Sequence, residues 1–241
     1  MITVKGGRSM SDIMIFKRYE KKYMLTKPEY DQLMSIIKDK LVPDKYGQNT
    51  LCSLYLDTPD FLLIRNSIDA VSYKEKLRMR SYGVPGREKT LFFEIKKKYK
   101  RVVYKRRVSM TPEEAVEYIE TGVPPFDSQI MREIDYLMKF YRYPKPNVCI
   151  LCERAAYFSQ DSEDVRLTFD NNLRYRYGFP TAENIAEGTP IVDKDEIIME
   201  IKTPGAMPLW LAQALSECRI YPRSFSKYAH AYYDIMKQER E

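Results

Sequence analysis

Histidine is nearly missing from this sequence: His230 is the single one in 241 residues. Ser-His-Asp and Cys-His nucleophile systems need an imidazole as base. His230 sits in a helix-like stretch near the C-terminus and reads as structural, so the sequence shows no such system. Cysteine is sparse as well, with Cys52, Cys149, Cys152 and Cys218. Cys149 and Cys152 form a CxxC in NVCILCERA, a spacing shared by zinc and redox pairs. Its flanks are apolar and strand-like, residues three apart on a strand point to opposite faces, and no second CxxC follows. The four thiols therefore read as packed and reduced, which points to a cytoplasmic protein. No apolar run reaches the roughly 18 residues of a membrane span. The opening MITVKGGRSM has no apolar core, so no signal peptide is expected. Linker-like and low-complexity segments are absent too, and a single domain over 1–241 is expected, with its core at about 16–236.

What is present is charge, and it is patterned. Charged residues make up 31% of the chain and the net charge is +6. That excess is mild, so a strong positive field has to come from clustering, and its partner would be anionic. The stretch YKEKLRMRSYG, read as a strand, puts Lys74, Lys76, Arg78 and Arg80 on one face and Tyr73, Glu75, Leu77 and Met79 on the other. The same split recurs elsewhere. Arg18, Glu20 and Lys22 share a face, as do Glu94, Lys96 and Lys98 in FFEIKKKY, and Arg101, Lys105 and Arg107 in RVVYKRRV. Arg166, Thr168 and Asp170 share one in VRLTFD, and Glu196, Glu200 and Lys202 in EIIMEIK. A one-sided sheet with a solvated outer face explains any one strand. It does not explain a set of faces that is basic with sparse acids. Same-face neighbours lie roughly 7 Å apart, and like charges at that distance repel by about 2 kcal/mol at an effective dielectric of about 20. Four cations in a row need an anion to offset them. Curled inward, such faces form a phosphate rail: arginine forks and lysine point charges suit phosphate oxygens. Interspersed glutamates suit a hard divalent cation, Mg²⁺ or Mn²⁺. Acids interleaved on the same faces disfavour nucleic acid as the partner, and no nucleic-acid motif appears.

Order along the chain supports an α+β fold. Strands read at FKRYEKKYML, TLCSLYLDT, SYKEKLRMRSYG, TLFFEIKKKY, RVVYKRRVSM, NVCILCERAAYFS, VRLTFDNNLRYRY and EIIMEIKTP. Helices read at TKPEYDQLMSIIKDK, with Thr26 as N-cap, then PDFLLIRNSID, TPEEAVEYIE, FDSQIMREIDYLMKFY, MPLWLAQALSECRI and SFSKYAHAYYDIMKQ. GVPGRE at 83–88 separates two strands as a hairpin, and 178–195 reads as one long loop. Strands follow one another in hairpins, which points to an antiparallel sheet.

The pieces RYEKKY, SLYLDT, KLRMRSYG, FFEIKKK, VYKRRV, CERAAY, VRLTFDNNLR, IIMEIKTP and SFSKY occur in one order over 16 to about 233. Together they resemble the triphosphate tunnel metalloenzyme (CYTH-like) superfamily, and within it the VTC domain, the polyphosphate polymerase domain. The resemblance implies a closed antiparallel eight-stranded β-tunnel with surrounding helices, binding ATP or polyphosphate with a divalent cation. It implies phosphate contacts from Lys22, Arg65, Lys76, Arg78, Arg80, Lys96, Lys105, Arg107, Arg166, Lys202, Ser226 and Lys227, with Arg78, Arg80, Lys96 and Glu200 carrying catalysis. Glu200, Glu20 and Glu94 would hold the metal. Relatives that hydrolyse triphosphates carry Glu-x-Glu-x-Lys on the first strand, where this chain reads Arg18, Glu20, Lys22. The lost carboxylate shifts the expectation toward transfer of the ATP γ-phosphoryl group to a growing polyphosphate chain. A triphosphatase or polyphosphatase and an inactive polyphosphate- or nucleotide-binding module are the alternatives. A membrane protein acting in trans is a conceivable export partner, and the sequence leaves the oligomeric state open.

Overall fold

The computed structural model describes residues 19–69, 72–84, 90–100 and 102–240. Arg18, Arg101 and positions 85–88 of the hairpin cluster lie outside the described residues. In chain order the elements are β1 (Tyr19–Leu25), α1 (Lys27–Ile37), a 3-10 turn (Lys38–Lys40), β2 (Leu41–Asp57), α2 (Leu62–Asp69), β3 (Tyr73–Tyr82), β4 (Leu91–Tyr99) and β5 (Val102–Met110). Then follow α3 (Pro112–Thr121), α4 (Gln129–Phe140), β6 (Lys145–Ser159), β7 (Ser162–Tyr177), β8 (Thr189–Pro190), β9 (Ile197–Thr203), α5 (Leu209–Glu217) and α6 (Lys227–Gln238).

Local chemistry fixes the helix starts. Thr26 and Thr111 each accept from the backbone N–H three residues on, and Glu29 and Glu114 reach back to the cap N–H. These reciprocal boxes satisfy two orphan donors apiece. Ser128 and Ser226 cap α4 and α6. The strand faces follow period 2: along β3 the buried residues alternate with half-buried cations.

All pairings are antiparallel, and the sheet runs β1-β9-β7-β6-β2-β3-β4-β5, with β8 attached to β7. This corrects the expectation of a closed eight-stranded tunnel. There are nine strands, and β1 and β5 end the path without pairing to each other among the described residues. Part of β1 is taken instead by the segment that enters α6, where the Arg223 N–H donates to the Lys22 carbonyl at 2.8 Å. The sheet nonetheless curls, since Lys96 on β4 reaches Glu20 on β1 at 3.5 Å. Two further differences are local. β2 begins at Leu41, because residues 41–49 pair with the end of β6 through a bulge between Pro43 and Gln48. The long loop contributes β8, held by Arg174 opposite Pro190 and Tyr175 opposite Thr189.

Apolar residues pack on the convex side. Leu54, Leu77, Met79, Phe93 and Ile95 meet Tyr118 of α3 and Ile134 and Met138 of α4. Leu25, Leu167, Met199 and Ile201 meet Leu33 and Ile37 of α1 and Leu211 and Leu215 of α5. At about 25 cal/mol per Å² these two cores supply the main drive to curl the sheet with its charges inward. α6 enters the concave side, where Tyr228, Ala231 and Ile235 pack with Tyr55, Val148, Ile150 and Tyr175. No helix among the described residues is long and apolar enough to cross a membrane.

Candidate phosphate-binding tunnel face

Register sets the inner face. Lys76, Lys96 and Lys105 stand opposite one another across β3, β4 and β5, and so do Arg78, Glu94 and Arg107. On the other side Lys22, Glu200 and Thr168 line up across β1, β9 and β7, next to Glu20, Lys202 and Arg166. The parity argument therefore holds strand by strand, and the curl turns separate rows into one cationic surface.

Glu94 is the counter-ion of the first half. It accepts from Arg78 Nε at 2.8 Å and pairs with Lys105 Nζ at 2.6 Å. Burial alone would raise its pKa, but Arg78, Arg80 and Lys105 together hold it well below the usual carboxylate range. Burial brings Lys105 down to about 7 despite Glu94. Lys76 falls to about 8, through burial and the nearby Lys22, Lys96 and Arg78, and donates to Ser226 Oγ at 3.0 Å. Arg80 donates to Ser53 Oγ at 3.2 Å. Arg107 lies over the Phe92 ring at 4.6 Å.

In the second half Lys202 pairs with Glu200 at 2.6 Å. Burial raises the Glu200 pKa, but Lys202, Lys22 and Lys96 outweigh it and keep the carboxylate ionised. Lys22 lies 3.8 Å from Glu20 and donates to the Phe225 carbonyl at 3.0 Å. Burial lowers the Lys96 pKa, opposed by Glu20 and Glu200. Arg166 pairs with Asp44 at 2.6 Å. Ser226 and Lys227 start α6 on this face, where Lys227 donates to Asp170. Arg65 stands apart on α2, half exposed and paired with Asp60 at 2.5 Å.

Several residues on this face had not been singled out as site residues. Arg154 on β6 holds Asp170 by two bonds of 2.5 and 2.6 Å. Its flanking same-face residues, Cys152 and Ala156, are uncharged, so alternation gave no signal there. The register of β6 against β7, Arg154 opposite Asp170, is what exposes it. Ser53 and Tyr55 were likewise hidden among packing residues of β2. Asp57 accepts from the Leu63 and Ile64 N–H groups at the start of α2 and from Tyr228 Oη at 2.9 Å.

A divalent cation fits part of the expected carboxylate set. The Glu20 and Glu200 side chains are 22% and 15% exposed and sit among the same lysines, whereas Glu94 is 1% exposed with a cation on each oxygen. No three Asp, Glu, His or Cys side chains converge among the described residues. Mg²⁺-type ions take one or two carboxylates and complete their shell with water and phosphate, so Glu20 and Glu200 suit such an ion and Glu94 serves the arginine row.

Solved structures share the fold. A candidate adenylate cyclase from Bacillus halodurans matches at 15% identity over 86% of this chain and 92% of its own, with a TM-score of 0.53. A candidate adenylyl cyclase from Hippeastrum, described as having a dominant triphosphatase activity, matches at 16% identity over 87% and 92%, also with a TM-score of 0.53. A third, from Vibrio parahaemolyticus, matches at 11% identity over 91% and 99%, with a TM-score of 0.50. No curated protein sequence matches the chain. The family model of the VTC domain matches residues 17–235, nearly all of the curled sheet and its helices, and the chain belongs to that family.

Proposed function

We propose that this chain is a metal-dependent polyphosphate polymerase that moves the ATP γ-phosphoryl group onto the end of a polyphosphate chain. The observation that carries the reading is the run of facing cations, Lys76–Lys96–Lys105 beside Arg78–Arg107, on one concave surface with Glu20 and Glu200 at its far side. Phosphoryl transfer needs positioning and charge stabilisation more than a nucleophilic side chain, which agrees with the single histidine.

In this reading Arg78, Arg80 and Lys96 hold the phosphates of ATP in line with the acceptor phosphate. Glu94 keeps the Arg78 guanidinium and the Lys105 ammonium in place. Arg107, Arg154, Arg166, Lys22 and Lys202 continue the contact surface along the chain, and Ser226 and Lys227 present the start of α6 to it. Glu200 and Glu20 would hold a divalent cation, which would supply charge neutralisation for the phosphates.

Hydrolysis is the second reading, favoured by the triphosphatase activity described for the Hippeastrum protein of the same fold. Against it stands Arg18 in place of a first-strand carboxylate. Incubation with ATP and Mn²⁺, followed by separation of nucleotides, polymer and free phosphate, tests the choice. ADP with long polymer is expected. Free phosphate without polymer moves the assignment to a hydrolase, and neither product leaves a binding module.

A further inference from the structure

Tyr55 stands in the middle of the cationic surface and is 8% exposed. Its ring stacks on Tyr228 with centroids 4.3 Å apart and planes 16° from parallel. Tyr228 is itself anchored by its hydroxyl to Asp57 at 2.9 Å. The Tyr55 ring is thus clamped, and its hydroxyl oxygen is fixed beside Arg78, which donates to it from Nη1 at 3.3 Å.

A phenol both accepts and donates. The accepting side is used by Arg78. On the donating side, no described residue takes the proton. The charged groups that act on the oxygen most strongly are Arg78, Lys76 and Arg80 of β3, and those groups only donate. The nearest β4 carboxylate, Glu94, is already held by Arg78 and Lys105. From α6 the facing group is the Tyr228 ring, whose own proton goes to Asp57. A buried O–H donor without an acceptor costs about 1–3 kcal/mol, and a surface of cations is where an acceptor anion would sit.

We propose that the Tyr55 hydroxyl is a phosphate ligand: it accepts from Arg78 and gives its own proton to a non-bridging phosphate oxygen held by Lys76 and Arg78. The inference rests on the reading of the inner face as phosphate-binding and adds to it a neutral donor in the row of cations. The charge balance supports it. In the empty face, burial opposes ionisation of Tyr55, but Arg78, Lys76 and Arg80 outweigh it and bring the phenol down to about 8. A bound phosphate offsets those cations and accepts the O–H as a hydrogen bond, so it favours the neutral phenol.

The test uses inorganic tripolyphosphate as probe, measured by calorimetry on the full chain and on Tyr55→Phe, which keeps the ring stack. One lost hydrogen bond to a charged group predicts about tenfold weaker binding at pH 7, with an unchanged melting temperature for the ligand-free protein. Equal affinity for the two proteins overturns the proposal while leaving the tunnel reading intact. Absence of binding to the wild type removes the tunnel reading and the proposal with it. If Tyr55→Phe does not fold, ultraviolet titration of wild-type tyrosinate decides. A step near pH 8 that moves upward with saturating tripolyphosphate supports the ligand role, and a step that is absent or does not move overturns it.

Discussion

Glu94 ties the stability of the fold to the cations of the inner face. Both of its oxygens meet cations in a sealed part of the sheet. Glu94→Gln removes one member of a buried pair and strands the others, a change that costs about 3–5 kcal/mol. A fall in melting temperature large enough to see in a single thermal scan is the expected result, and an unchanged melt would refute the buried-pair role. The folded pKa of Glu94 is depressed, so its contribution is complete above the unfolded value of 4.5 and is lost as pH falls below it. The variant should therefore lose part of the wild type's acid sensitivity. Lys76 and Tyr55 have linkage of the same sign in a higher pH window. Both titrate near 8 in the fold, below their unfolded values of 10.5 and 10.0, so the unfolded chain holds more protons between about pH 8 and 10. Across that window their contribution to the stability of the empty protein rises with pH. Phosphate affinity falls, because the anion favours the protonated lysine. Chemical denaturation and calorimetry over pH 7.5–10 check the two opposite slopes, and parallel slopes would contradict the assignment.

At the scale of the element, α6 does more than its sequence announces. The resemblance marks SFSKY for phosphate contact; in the structure its residues tie the helix to the sheet. Lys22 reaches the Phe225 carbonyl, Lys76 reaches Ser226, Lys227 reaches Asp170 and Tyr228 reaches Asp57. Four strands, β1, β3, β7 and β2, are thereby held to one helix start. Asp57 also takes the Thr58, Leu63 and Ile64 N–H groups, so it serves α2 and α6 at once. Asp57→Ala leaves those donors buried without an acceptor. It is predicted to cost about 3 kcal/mol or more in urea unfolding, and a loss below about 1 kcal/mol would show that α6 is held by its apolar contacts alone. None of this was legible, because a carboxylate at the end of a strand gives no periodic signal and its partners lie in other elements.

Over the whole molecule, the sequence showed what depends on neighbours along the chain and hid what depends on neighbours across it. Alternation put Lys76, Arg78 and Arg80 on one face of β3, and Lys96, Arg107 and Lys202 each on the charged face of its own strand, since period 2 is a local property. The start of β2 was hidden by a bulge, and β8 is too short to alternate at all. Arg154 was hidden because only its register with β7 gives it a partner. Closure could not be read either: whether β1 meets β5 depends on both edges, and the segment before α6 occupies part of one of them. Arg65 matched a motif but stands on α2 with Asp60, outside the facing rows.

The central claim is that this concave face holds the phosphates during transfer. It is tested most directly by a polyphosphate gel of wild type, Lys96→Ala and Arg78→Ala after incubation with ATP and Mn²⁺, with circular dichroism on each protein. The account predicts polymer from the wild type and at least a hundredfold less, about 2.7 kcal/mol of lost charge stabilisation, from each variant with its fold retained. Wild-type polymer yield from both folded variants would contradict it.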